Sequence, residues 1–209
     1  MVKVVSLETL VAQLECQLLK ELPGKNAQMK MAPLNRFDFP EPSKPAKLSS
    51  VLILLYPHNN EVYTVLIKRA LYNGHHSGQV SFPGGKFEKG DKSLIDTALR
   101  ETSEEVGVQY KDVNVLGNIS SLLIPVSNIM VLPIIGYTNK RPDFEHDPVE
   151  VNQIIEVSLN ELLLPSIIKN GIIKVENRKI KTPYYSVQNQ IIWGATAMII
   201  SEFLEILNR

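Results

Sequence analysis

Residues 81–108 read SFPGGKFEKGDKSLIDTALRETSEEVGV, and they carry the most informative pattern of the chain. Residues 82–85 predict the end of a strand followed by a tight turn, because glycine accepts positive φ and proline restricts its own. From Leu94 the apolar residues recur at helical spacing, and Asp91 or Ser93 can cap the start. Gly107 stands where a helix commonly ends in the left-handed conformation. The stretch therefore predicts a glycine-rich loop that leads into a helix.

Three carboxylates of this helix, Glu101, Glu104 and Glu105, lie at positions i, i+3 and i+4 and therefore share one face. Like charges at this spacing destabilise a helix by roughly 0.2–0.5 kcal/mol per pair unless a positive charge lies beside them. Mg²⁺ prefers oxygen ligands and would supply that charge. Arg100 adjoins the cluster and can bind a carboxylate through two parallel hydrogen bonds. The same pattern is also typical of a solvated acidic face.

Composition excludes several classes of protein. The 209 residues suit one domain with appendages, and the 22 basic residues equal the 22 acidic ones, so we expect no nucleic-acid partner. Cys16 is the only cysteine, which excludes an internal disulfide. No apolar segment approaches the length of a membrane span, so we predict no membrane partner and a cytoplasmic protein.

We divide the chain into an amphipathic helix over residues 1–24, a proline-containing connector over 25–48 and one folded domain over 49–209. Leucines recur at steps of three and four in the helix, which favours packing on its own domain. A homodimer contact is the alternative. The connector contains four prolines and no sustained periodicity, so we expect it to be extended.

The rest of the chain alternates predicted strands and helices, which indicates an α/β sandwich. Strands are predicted by alternating or continuous apolar runs at 51–56, 61–69, 113–123, 129–137, 154–159, 171–176, 179–187 and 190–193. A short helical pattern covers 161–164, and a longer one covers 195–207.

The central stretch resembles the Nudix box, in which a glycine and an acidic residue precede Arg-Glu, Glu-Glu and a final glycine. The matching positions are Gly85, Asp91, Arg100, Glu101, Thr102, Glu104, Glu105, Gly107 and Val108. Asp91 replaces the usual glutamate, Thr102 stands at a normally aliphatic position, and one extra residue follows Asp91. The resemblance implies an α/β/α sandwich with a mixed β-sheet. It also implies a Mg²⁺ or Mn²⁺ ion held by the three glutamates and the carbonyl of Gly85, with Arg100 orienting Glu101.

Residues 66–85, LIKRALYNGHHSGQVSFPGG, are similar to the signature of the coenzyme A pyrophosphatase branch of that family. Residues 124–128 (IPVSN) and 192–197 are similar to the same branch. The resemblance implies that the substrate is bound by Arg69, His76, Gln79, Ser127 and Asn128. Gly74 replaces an arginine that is usual in the branch. The adjacent His75 and His76 are also typical of a solvated loop.

This resemblance implies hydrolysis of coenzyme A or an acyl derivative to 3',5'-ADP and 4'-phosphopantetheine or its acyl form. ADP-ribose or another nucleoside diphosphate derivative is the alternative substrate, and a nucleotide-binding module without catalysis is the alternative of another class. The general base stays open between Glu104, Glu105, Glu145 and Glu150.

Overall fold

The computed structural model describes residues 6–34, 44–71, 76–175 and 178–209. The helices are α1 (Leu7–Leu18), α2 (Gly24–Met29), α3 (Leu94–Val106), α4 (Leu159–Leu162) and α5 (Gly194–Leu207). The strands are β1 (Lys47–His58), β2 (Glu61–Arg69), β3 (Val80–Ser81), β4 (Gly84–Lys86), β5 (Asn114–Asn118), β6 (Leu122–Ile124), β7 (Ile129–Tyr137), β8 (Val151–Ser158), β9 (Ile168–Val175), β10 (Arg178–Val187) and β11 (Gln190–Trp193). No described helix has the combined length and apolarity that crossing a membrane requires.

The main sheet is mixed and is built around β1. Strand β1 runs parallel to β7 and antiparallel to β2 and β4. Strand β2 also pairs with β3 and β8, while β7 pairs with β5 and β6. The side chains of residues 52–56 in β1 are all buried, on both faces of the sheet, which explains their continuous apolar sequence.

Helices cover both faces of this sheet. Helix α3 packs on one face, where Ala98 and Val106 join Leu52 and Leu54 in one hydrophobic cluster. A larger cluster on the other face contains residues of α1, α5 and a second, three-stranded sheet with the order β11-β10-β9. The predicted α/β/α sandwich with a mixed sheet is therefore confirmed.

Local signals define the ends of α3. The hydroxyl of Ser93 accepts a hydrogen bond from the backbone N–H of Asp96, which caps the first turn. Gly107 ends the helix with φ 76°, a conformation that favours glycine. The helix thus begins and ends where the sequence predicts.

The connector is not extended throughout, so that expectation was wrong for residues 25–29, which belong to α2. Its helical conformation depends on a distant buried carboxylate, that of Glu202 in α5. Glu202 accepts hydrogen bonds from the backbone N–H groups of Gly24 and Ser120 and from Nε2 of Gln28, at 3.1, 3.2 and 2.7 Å. These contacts join α2 to α5, and periodicity along the chain does not reveal them. Residues 35–43 of the connector lie outside the described residues.

The single strand predicted over 113–123 is two short strands, β5 and β6. The register between β5 and β7 shifts near Gly117, whose φ is 155°. Ser120, between the two strands, donates its N–H to Glu202 and not to the sheet. The hairpin predicted over 171–187 is present as β9 and β10, with an earlier start.

Replacing Glu202 with alanine should lower the free energy of unfolding by about 3 kcal/mol, because one buried and two partly buried donors lose their acceptor. Chemical denaturation measures the change. Glu205→Ala is the matched control, since the surface pair of Glu205 with Lys30 should contribute less than about 1 kcal/mol. Equal losses in the two variants would contradict this account of α2.

Candidate metal centre and active site

Three carboxylates from two segments meet beside α3. Oxygen atoms of Glu101, Glu105 and Glu150 all lie within 4.8 Å of one another. Glu101 and Glu105 come from α3, and Glu150 comes from the turn that precedes β8. Glu104 does not belong to this group. The structure therefore brings together two glutamates of α3 and one glutamate from the turn before β8.

Glu105 is the buried member of the group, with 1% of its surface exposed. Its Oε2 accepts a hydrogen bond from the N–H of Gly84 at 2.8 Å, and Oε1 lies 3.3 Å from Nη1 of Arg69. The pKa of Glu105 is raised to about 8, chiefly by burial and also by the charges of Glu101 and Glu150, while the hydrogen bond from Gly84 and the charge of Arg69 oppose this rise. The ionised form of Glu105 is therefore unfavourable unless a cation lies beside it.

Glu101 lies against the glycine-rich turn. A Cβ atom at Gly85 would overlap the Glu101 carboxylate, so any side chain at this position would displace that carboxylate. Oε1 of Glu101 lies 3.0 Å from Nη1 of Arg100. Burial raises the pKa of Glu101, and the charge of Arg100 opposes this effect.

Arg100 connects the helix to the loop before it. Its Nε and Nη2 donate to the two carboxylate oxygens of Asp91 at 2.9 and 3.1 Å, and Nη2 also donates to the carbonyl of Lys86. Nη1 donates to Glu104 at 2.9 Å. The Glu104 side chain is 57% exposed, and it shares Nη1 of Arg100 with Glu101 without belonging to the group of three carboxylates.

The turn that carries Glu150 is attached to the end of α3. Backbone N–H groups of Glu145 and Asp147 donate to the carbonyls of Val106 and Glu105 at 3.2 and 3.4 Å. A Cβ at Gly107 would lie 3.0 Å from the carbonyl oxygen of Glu145, so this glycine also makes room for the turn. Glu145 contributes its backbone to this attachment, and its side chain is exposed.

The residues expected to bind substrate do not all lie together, and one of them, Arg69, lies at Glu105. Nδ1 of His76 lies 3.1 Å from Oε1 of Gln79, and Nε2 lies 3.4 Å from Oγ of Ser127. These three therefore meet. Asn128 donates from Nδ2 to the carbonyls of Lys44 and Pro45, and thus holds the chain that enters β1. Gly74 and His75 lie outside the described residues.

Ser49 is a residue of this region that the sequence did not indicate. Its hydroxyl donates to the carbonyl of Gly85 at 2.5 Å, so it fixes the carbonyl that the box assigns to the metal. The residue precedes the strand predicted over 51–56 and no motif surrounds it, and only the pairing of β1 with β4 brings it to Gly85.

A cavity of about 330 Å³ lies elsewhere in the molecule. It is lined by Leu162, Tyr185, Leu204 and neighbouring residues, which belong to the hydrophobic cluster on the face opposite α3. No predicted site residue lines it. The chemistry of the carboxylate group, not the size of this cavity, therefore identifies the candidate active site.

The carboxylate group fits a hard divalent cation. Its donors are oxygen atoms, and its three negative charges repel each other. Glu105 is buried although burial disfavours its charged form. Glu101, Glu105 and Glu150 are the side chains that would hold the ion, with the carbonyl of Gly85 adjacent to Glu101.

Comparison with known proteins agrees with this geometry. The family described as NUDIX domain matches residues 46–171, more than half of the chain. This chain belongs to the Nudix family. It is a Nudix hydrolase, a pyrophosphohydrolase of a family that binds nucleotide substrates and typically uses a divalent metal.

Relatives of similar sequence support the same assignment. The chain is 33% identical to "Uncharacterized Nudix hydrolase NudL" of Photorhabdus laumondii over 82% of this chain and 94% of the relative. It is 39% identical to a protein of the same description from Yersinia pestis, over 65% of this chain and 68% of that protein.

Two solved structures share the fold. The Nudix hydrolase RenU of M. smegmatis has a TM-score of 0.52 at 12% identity and covers 85% of this chain and 94% of its own. The MutT protein of Methanosarcina mazei Go1 also has a TM-score of 0.52, at 18% identity, over 81% of this chain and 99% of its own.

Replacing Gly85 with alanine should weaken binding of Mn²⁺ roughly 10- to 100-fold, because the added methyl group displaces the Glu101 carboxylate. Electron paramagnetic resonance of free Mn²⁺ measures the affinity without a substrate. Gly90→Ala is the control, since a Cβ there meets nothing within 4 Å. Equal affinities of the two variants would contradict the close approach of helix and turn.

Asp91→Asn should lower the free energy of unfolding at neutral pH by about 2 kcal/mol. The Asp91 side chain is only 4% exposed, and its two oxygens accept hydrogen bonds from Arg100. That hydrogen bonding holds the pKa of Asp91 well below its usual range. A depressed pKa stabilises the fold above the pKa of the unfolded chain, about 3.9, and this contribution disappears as pH falls further.

The difference in stability between wild type and Asp91→Asn should therefore be constant near neutral pH and shrink below about pH 4. Denaturation at a series of pH values measures it. Asp112→Asn, at an exposed position, should change little. A difference that grows with acidification would exclude this role of Asp91.

Proposed function

We propose that this Nudix hydrolase cleaves the diphosphate linkage of coenzyme A or an acyl-coenzyme A, with Mg²⁺ or Mn²⁺ as cofactor. The observation that carries the proposal is the meeting of Glu101, Glu105 and Glu150 beside α3. Water would add across the linkage to give 3',5'-ADP and 4'-phosphopantetheine or its acyl form.

Each side chain has a distinct task in this proposal. Gly84 and Arg69 hold Glu105, and Arg100 holds Glu101, so both carboxylates are positioned before substrate arrives. When bound, a divalent cation supplies the positive charge that a diphosphate and an incoming water both require. Hydrolysis at phosphorus depends chiefly on such positioning and electrostatics, and no covalent nucleophile is needed.

Glu150 is our candidate for the general base. It is the exposed member of the carboxylate group, so water can reach it, and it approaches from a different segment than the two helix glutamates. Glu145 does not reach the group among the described residues, and Glu104 is paired with Arg100. These observations favour Glu150 over the other carboxylates.

The choice of coenzyme A rests on the contacts of His76. Residues of the branch-like segment, His76 and Gln79, lie in hydrogen-bonding distance of each other and of Ser127 from the second branch-like segment. Two segments that resemble the branch and lie far apart in the sequence therefore meet in the fold. ADP-ribose or another nucleoside diphosphate derivative stays the alternative substrate.

Substrate choice is tested by incubating the protein and Mg²⁺ with coenzyme A, an acyl-coenzyme A, ADP-ribose and diadenosine polyphosphates. Mass spectrometry of the products should detect 3',5'-ADP together with phosphopantetheine or its acyl form. Release of AMP from ADP-ribose alone would replace the substrate assignment, and absence of hydrolysis in every arm would favour a binding module.

In the same assay Glu101→Gln, Glu105→Gln and Glu150→Gln should each lower turnover roughly 10²- to 10⁴-fold. Glu104→Gln should have a much smaller effect because Glu104 lies outside the group. Glu15→Gln, on the exposed side of α1, is the inert control. A larger loss in Glu104→Gln than in Glu150→Gln would contradict the proposed set of ligands.

A further inference from the structure

The hairpin formed by β9 and β10 is strongly basic although the whole chain has no net charge. Residues 168–187 contain five cations and one acidic residue. The cations are Lys169, Lys174, Arg178, Lys179 and Lys181, and all five are exposed. Positive charge is therefore concentrated on one structural unit, and the remainder of the molecule carries the compensating negative charge.

Strand register places three of these lysines on one face. Lys174 lies directly opposite Lys179, and Ile172 lies opposite Lys181. Because positions two apart along a strand share a face, these four side chains form one surface, the basic hairpin face. Ile172 is 66% exposed in the middle of it.

The lysines of this face are not neutralised by any acidic side chain in the described ranges. Among the described residues, none of Lys174, Lys179 and Lys181 forms an ion pair. Like charges directly opposite each other in a sheet are destabilising. Lysines on an edge strand can prevent aggregation, which accounts for Lys174 on β9. Strand β10 pairs with β11 only over residues 184–187, so Lys179 and Lys181 also lie on an open edge and the same explanation covers them, but it does not account for the exposed Ile172 beside them.

We propose that the basic hairpin face binds the surface of a membrane that contains anionic phospholipid. Lysine ammonium groups would meet lipid phosphates, and Ile172 would enter the boundary between headgroups and acyl chains. A nucleic acid would use the lysines but would leave Ile172 in water. The exposed side chains of this face include no aromatic ring for stacking on bases, and Tyr184 lies on the opposite face of the hairpin.

This contact would leave the active site accessible. The hairpin packs on α4 and α5, whereas the carboxylate group lies beside α3 on the other side of the main sheet. The inference goes beyond the proposed function and does not depend on it. It also differs from the prediction of no membrane partner, which rested on the absence of a spanning segment, because peripheral contact needs no span.

Co-flotation of the full chain with lipid vesicles tests the proposal. The protein should float with vesicles of phosphatidylcholine and phosphatidylglycerol, not with phosphatidylcholine alone, and binding should weaken at high salt. Lys174→Ala/Lys179→Ala should lower the partition coefficient about 25-fold, at about fivefold per lysine. Ile172→Ser should lower it roughly tenfold.

Lys20→Ala/Lys111→Ala is the matched control, because it removes the same charge from exposed positions outside the hairpin and should change binding less than about twofold. Circular dichroism confirms that each variant is folded. Absence of flotation, equal losses in the control, or an unchanged partition coefficient in Ile172→Ser would overturn the proposal. Binding to single-stranded RNA without binding to vesicles would also overturn it.

Discussion

One buried carboxylate, that of Glu105, constrains the rest of this structure. Its removal from water beside Glu101 and Glu150 is unfavourable, and the fold opposes that cost with the N–H of Gly84 and the guanidinium of Arg69. These two donors come from β4 and from the end of β2. The sheet must therefore be complete before the charge is supported, and the site and the fold depend on the same contacts.

Glycines at the turn and at the helix end set the distances in the site. Gly84, with φ 149°, allows its backbone to pass next to Ser50 and Val51 of β1. Gly85 then leaves space for Glu101. At the C-terminus of α3, Gly107 ends the helix and accommodates the turn that carries Glu150. Glycines in the turn beside α3 and at its C-terminus thus make room for all three carboxylates.

Local signals in the sequence were sufficient for much of this fold. Strands β2, β7 and β11 have the predicted bounds, and α3 begins after Ser93 and ends before Gly107, because turns and caps are chemical features of short segments. Contacts between distant segments were not accessible in this way. The conformation of α2 depends on Glu202, and the choice of Glu150 among the acidic residues of its loop depends on attachment to α3. Spacing placed Glu104 with its neighbours, but only packing shows that it faces solvent.

The attachment of the Glu150 turn to α3 has a consequence for biosynthesis. The two helix glutamates are synthesised before Glu150, which lies in the turn just before β8, and β8 pairs with β2. A chain that ends before this turn therefore lacks one of the three carboxylates that meet beside α3.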